Sequence, residues 1–187
     1  MRSSSKKLIF APALIFVAAS MNTLAQSTLS HVHGNADLNV VLIERQLQIE
    51  FVSPAVNLLG FEHAPVTDEE STVLNDAITQ LQQSGWLIGD ISATCQISVE
   101  TFEAPTFDEQ GHGHDEEHEH DSEPDADAHS DFRVQYLYNC QTAPPTTLQI
   151  LAFDHFRGIE TLTVQWIADQ RQGYAKLNRG SPVLILD

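Results

Sequence analysis

Apolar and polar residues alternate along much of the chain, and this alternation predicts β-strands. Residues 36–42 and 47–51 each place Leu, Val, Ile or Phe on one side, with polar Glu44-Arg45-Gln46 between them. This pattern predicts a β-hairpin with one buried face. The same alternation predicts strands over residues 95–102 and 132–140, which would form a second hairpin. Residues 161–167 are also predicted as a strand, residues 172–177 as the start of the last hairpin arm, and the apolar residues 183–186 as the final strand.

A helical pattern follows the first hairpin. Thr67 is a suitable N-cap, and three acidic residues at 68–70 suit the first turn of a helix. Apolar residues then recur at helical spacing as far as Leu81, so we predict a helix that ends near Gly85. Residues 148–153 fit either a short helix or a strand. The fold class is therefore α+β, built mostly of antiparallel β-hairpins with one or two helices.

One segment has no apolar pattern at all. Residues 108–131 read DEQGHGHDEEHEHDSEPDADAHSD, with five histidines, eleven acidic residues and no Lys or Arg. Such a segment buries too little apolar surface to offset the entropy of ordering, so we predict a long disordered loop. Imidazole nitrogens and carboxylate oxygens bind Zn²⁺ and other divalent transition metals. The candidate ligands in this tract are His112, His114, Glu116, Glu117, His118, His120 and His129. The alternative is a solvated acidic linker.

The N-terminus has the features of a secretory signal. Basic residues at positions 2, 6 and 7 precede an apolar run over 8–19, and Thr23-Leu24-Ala25 supplies small residues for cleavage. The apolar run is shorter than the roughly 20 residues that span a bilayer. We therefore predict a signal peptide over residues 1–25, cleaved near Ala25, and a single exported domain over 26–187 without membrane insertion.

The chain is strongly acidic, with a formal net charge of −17. This charge argues against nucleic acid and anionic membranes as partners, and it favours cations. Only two cysteines are present, Cys95 and Cys140. In an exported protein, an even number of cysteines predicts a disulfide. This one would join the two strands from which the tract emerges.

Histidines outside the tract form a second candidate metal site. His31 and His33 are two residues apart, so on an extended backbone their side chains share a face. With His63 they would supply three imidazoles, and three protein ligands plus water is a common zinc arrangement. The sequence leaves open whether His63 lies near the pair, and whether the pair is only incidental. No HExxH, GxSxG or glycine-rich phosphate loop is present, so we do not predict an enzyme.

These residues also carry a resemblance. The motifs HVHGNADLNV at 31–40 and SPAVNLLGFEHAP at 53–65, with the His-rich and acidic insert before Tyr136-x-Tyr138-x-Cys140, resemble the zinc-regulated ZrgA family of Gram-negative bacteria. The resemblance extends over nearly the whole chain after the signal. It implies a periplasmic accessory protein that binds zinc and supports high-affinity zinc uptake, by delivering zinc to the solute-binding protein of an ABC importer.

Two other functions remain open. One is zinc buffering or storage without a delivery partner. The other is a protein-interaction module in which the acidic loop is incidental.

Overall fold

The computed structural model describes residues 32–83, 85–107 and 131–187. This part of the chain is mostly β, which fits the α+β prediction, and it contains three helices rather than the predicted one or two. The elements in chain order are β1 (Asn35–Ile43), β2 (Gln46–Pro54), α1 (Ala55–Leu59), α2 (Asp68–Leu81), β3 (Cys95–Glu103), β4 (Asp131–Cys140), β5 (Thr147–Gln149), α3 (Ala152–His155), β6 (Thr161–Ala168), β7 (Arg171–Asn178) and β8 (Val183–Ile185). The predicted signal peptide and residues 108–130 of the tract lie outside the described residues.

The strands form a six-stranded mixed sheet and a small two-stranded one. The order in the large sheet is β3-β4-β2-β1-β6-β7, and β5 pairs with β8. The predicted pairs β1–β2 and β3–β4 are antiparallel neighbours. The last hairpin differs from the prediction, because β7 pairs with β6 and β8 pairs with β5. The centre differs from the prediction, because β1 and β6 are parallel. A parallel pair needs a long crossover connection, and no local pattern signals it.

Helix α2 begins where the sequence predicts it. In α2 the Thr67 hydroxyl accepts a hydrogen bond from the Glu70 backbone N–H at 3.1 Å, which confirms the predicted cap. The helix ends at Leu81 rather than near Gly85, since Leu81 is the last apolar residue of the helical pattern and Trp86 turns into the core. The ambiguous stretch 148–153 contains the end of β5 and the start of α3.

Trp86 lies at the centre of the core. Its ring makes edge contacts with Phe51 at 5.0 Å and with Phe156 at 5.3 Å, measured between ring centroids. The indole N–H donates to the Tyr136 hydroxyl at 2.7 Å, and that hydroxyl donates to the Leu81 carbonyl. One buried chain of hydrogen bonds therefore links the core to β4 and to the end of α2, and no polar atom in it is left unpaired.

The tract and the two cysteines are connected to opposite ends of the large sheet. At one end, which we call the tract end, lie the start of β1 at Asn35, the end of β2 at Pro54, the end of β3 at Glu103 and the start of β4 at Asp131. Cysteines 95 and 140 lie at the opposite end, the disulfide end. In the described ranges, no helix combines the length and apolar character needed to cross a bilayer.

Candidate metal centre

The two cysteines form the predicted disulfide. Cys95 and Cys140 are paired residues at the first position of β3 and the last position of β4. The two strands stay paired as far as Glu103 and Arg133, with one irregularity after Val99. The β3–β4 hairpin is thus closed covalently at the disulfide end. The tract connects the two strands at the opposite end of the hairpin.

Charged side chains anchor the base of the tract. The Arg133 guanidinium lies 2.8 Å from a Glu50 carboxylate oxygen and 3.7 Å from one of Glu103. Hydrogen bonds from Asn39, Arg133 and Gln135 outweigh the effect of burial on Glu50, so its pKa is lowered. These contacts join β1, β2, β3 and β4 just beside the point where the chain enters and leaves the tract.

The base of the tract is itself acidic. Asp37 on β1 is half-buried, and burial together with the nearby charge of Asp131 raises the pKa of its carboxyl group. Asp131 is the last residue of the tract and the first residue of β4. The negative charge of the tract therefore continues onto the ordered sheet. All seven candidate ligands in the tract lie between residues 108 and 130, outside the described part: His112, His114, Glu116, Glu117, His118, His120 and His129.

The backbone that carries His33 is held by a buried asparagine. Gly34 donates its N–H to the Asn57 side-chain oxygen at 2.7 Å, and the Asn57 amide donates to the Asn35 carbonyl at 2.7 Å. Asn57 also donates to the Ser53 hydroxyl at 3.2 Å, and it is 4% exposed. Gly34 has φ of +84°, a conformation that glycine adopts without strain. The motif at 31–40 is therefore tied to the motif at 53–65 through α1.

His33 contacts the residue that precedes His63 in the chain. His33 Nε2 lies 3.4 Å from a carboxylate oxygen of Glu62, which directly precedes His63. His63 Nε2 lies 3.9 Å from a Glu70 oxygen, and its Nδ1 lies 3.0 Å from the Ala64 carbonyl oxygen. Both imidazoles are exposed. The sequence identified these two histidines but not their carboxylate partners. The only signal for Glu70 was its position three residues after the Thr67 cap.

The described residues do not complete a metal centre. Each imidazole faces a carboxylate, and the ranges 32–83, 85–107 and 131–187 contain no group of three or more His, Cys, Asp or Glu side chains placed to hold an ion. His31, the third member of the predicted site, lies outside them. The three-histidine site therefore stays a prediction.

A comparison with protein families supports the resemblance noted from the motifs. The family model described as ZrgA family zinc uptake protein matches residues 30–186. The matched range includes His31, His33, His63, both cysteines and the entire tract. No curated protein matches the chain significantly.

Proposed function

Because the chain belongs to the ZrgA family of zinc uptake proteins, we propose that it captures zinc in the periplasm and delivers it to the periplasmic solute-binding protein of a zinc ABC importer. The observation that carries this proposal is the family match over residues 30–186, which encloses a tract of five histidines and eleven acidic residues. The predicted signal peptide supplies the export that a periplasmic role requires.

The tract performs the capture step. Its carboxylates, with the acidic residues at its base, raise the local concentration of cations. The imidazoles of His112, His114, His118, His120 and His129 then favour zinc over magnesium and calcium, which prefer oxygen ligands. Together with Glu116 and Glu117 they hold several ions weakly and exchangeably. Nickel and copper compete at such ligands in vitro, since intrinsic affinity follows the Irving–Williams order.

His31, His33 and His63 hold one zinc ion more firmly. Two features support this step: Asn57 fixes the backbone beside His33, and His33 contacts Glu62, the residue that precedes His63 in the chain. Both imidazoles must turn away from Glu62 and Glu70 to meet one ion. The histidine side chains are 67% and 57% exposed, so these exposed contacts are weak and little is lost when they break.

Zinc binding should weaken as pH falls. A protonated imidazole cannot bind metal, and the unperturbed pKa of histidine is about 6.5. Lowering the pH from 7.5 to 5.5 protonates most histidines, so we expect the zinc affinity to fall by at least about tenfold. Competition with a chromophoric chelator at each pH measures the change. Equal affinity at both pH values would contradict ligation by histidine.

Delivery is tested by the kinetics of zinc transfer. The zinc-loaded protein is mixed with the apo form of the zinc importer's solute-binding protein, and transfer is followed at increasing acceptor concentrations. Direct delivery predicts a rate that rises with acceptor concentration and exceeds spontaneous release to a chelator. A rate equal to spontaneous release would instead show a buffer without a delivery partner. An unrelated apo zinc protein serves as the control acceptor.

A further inference from the structure

Half of one face of the large sheet exposes apolar side chains to solvent. The side chains of β1, β2, β4, β6 and β7 alternate between the core and the opposite, outer face. In the half of the outer face nearer the disulfide end, Ile43, Ile167 and Tyr174 are 53%, 46% and 58% exposed. Val41 and Leu137 lie in the same row as Ile167 and are partly exposed. Contiguous exposed apolar residues of this kind indicate an interaction surface.

The polar residues between these apolar ones all carry side-chain amides. They are Gln46, Gln48, Asn139, Gln165 and Gln172, which face outward on the same five strands. We call these five residues, together with the five apolar ones, the amide face. None of them is charged, although the chain has 26 acidic residues and a net charge of −17. Glu50 borders the amide face, and its carboxylate is already bound by Arg133 at 2.8 Å.

The chemistry of the amide face is complementary to itself. A side-chain amide has both a donor and an acceptor, so amides on two identical faces can bond each other, whereas two carboxylates cannot. Within one chain, Gln46 Nε2 already donates to Asn139 Oδ1 at 3.0 Å. Two copies with a net charge of −17 repel each other, and an uncharged face is where they approach at the lowest cost. Self-complementarity is what a two-fold interface requires.

The amide face has the size of a weak interface. Five strands about 4.8 Å apart and three rows of side chains about 7 Å apart give roughly 500 Å². Two copies would together bury about 1,000 Å², the lower limit for a specific interface. A depression of about 610 Å³, lined in part by Val41, Ile167 and Tyr174, leaves room for side chains of a second copy. This size predicts a reversible dimer rather than a permanent one.

We infer that the amide face binds the same face of a second copy of this chain. The two large sheets then pack face to face about 10 Å apart, as the two halves of a β-sandwich do. The aliphatic side chains and Tyr174 exclude water between the sheets, and the amides bond across the interface. His33, His63 and the base of the tract lie at the tract end, outside the amide face, so the dimer does not use the zinc-binding residues.

Sedimentation equilibrium of the wild-type chain without residues 1–25 tests this inference, with EDTA present so that zinc cannot bridge two copies. We expect a monomer–dimer equilibrium with a dissociation constant on the order of 10–100 μM. Raising NaCl from about 50 to about 500 mM should tighten the dimer at least about twofold, because salt screens the repulsion between the acidic copies. A protein that stays monomeric up to about 1 mM would overturn the inference. So would a dimer that weakens with salt, since its contacts would be ion pairs.

Two matched variants locate the interface. Ile167→Glu brings like charges together across the two faces and should weaken the dimer at least about tenfold. Ile185→Glu adds the same charge at a site on β8 that is 52% exposed and lies outside the amide face, so it should change the dissociation constant less than about twofold.

Equal weakening by both variants would contradict the inference, because net charge alone would then explain the effect. A different occupant has its own signature. If the wild-type protein is monomeric, and Ile167→Glu but not Ile185→Glu slows zinc transfer to the solute-binding protein, that protein binds the amide face and the inference of a second copy is wrong.

Discussion

Removal of the Cys95–Cys140 disulfide is expected to lower the free energy of unfolding by about 4 kcal/mol. The two cysteines are 45 residues apart, and the loop that they close contains the whole tract. Opening this loop gives the unfolded chain more conformational freedom, while the paired strands β3 and β4 keep their hydrogen bonds in the folded state. Urea denaturation of the Cys95→Ala/Cys140→Ala protein measures the difference. Alanine is suitable because both sites are buried.

The wild-type protein denatured with a reductant is the control for this variant. It should show the same loss of stability, because reduction removes the cross-link without changing a side chain in the core. A loss below about 1 kcal/mol in both would contradict the expectation. It would show that the unfolded chain gains little conformational entropy when the disulfide is removed.

Asn57→Ala is expected to destabilise the protein by about 3 kcal/mol. The substitution removes the acceptor of the Gly34 N–H and the donor to the Asn35 carbonyl, both at 2.7 Å. The Gly34 N–H and the Asn35 carbonyl then lose their hydrogen-bond partner, and each unsatisfied group that is shielded from water destabilises the folded state. Denaturant unfolding measures the change in free energy, and amide hydrogen exchange at Gly34 shows whether the segment beside His33 opens locally.

Asn139→Ala is the matched control. Asn139 also accepts a side-chain hydrogen bond, from Gln46 at 3.0 Å, but this contact is exposed. Its loss should change stability by no more than about 0.5 kcal/mol. Similar effects of the two substitutions would contradict the role assigned to Asn57, since burial is the feature that separates them.

Much of the fold could be predicted because most of its strands and its longest helix have clear local sequence patterns. Strict alternation identified β1, β2 and β4, and the Thr67 cap identified the start of α2. Two features could not be predicted. The parallel pairing of β1 with β6 depends on how the chain crosses the sheet, and α1 has only five residues after Pro54, which is too short for a helical period.

The candidate site was predictable in composition but not in arrangement. Residue types and spacing identified His33 and His63 as possible ligands. The backbone beside His33 is held by a hydrogen bond between Gly34 and Asn57, which are 23 residues apart. A polar residue among the apolar residues of α1 was the sole sequence signal for that contact. Nothing in the local pattern predicted that Glu62 would lie beside His33.

Calorimetric zinc titration tests the central claim most directly, and it needs three proteins that all lack residues 1–25. The first is otherwise intact. The second lacks residues 108–130 and keeps Asp131, because Asp131 pairs with Pro54 in the sheet. In the third, the five histidines of the tract are replaced by glutamine, which preserves its length and its acidic residues.

We predict that the intact protein binds several zinc ions, one of them more tightly. The truncated protein should retain only the tighter site, and His33→Ala or His63→Ala in that protein should abolish it. The glutamine variant should lose most of the weak binding despite its charge. Absence of zinc binding by the intact protein would contradict the account. If only the truncated protein fails to bind, the tract alone captures zinc and the folded domain contains no zinc centre.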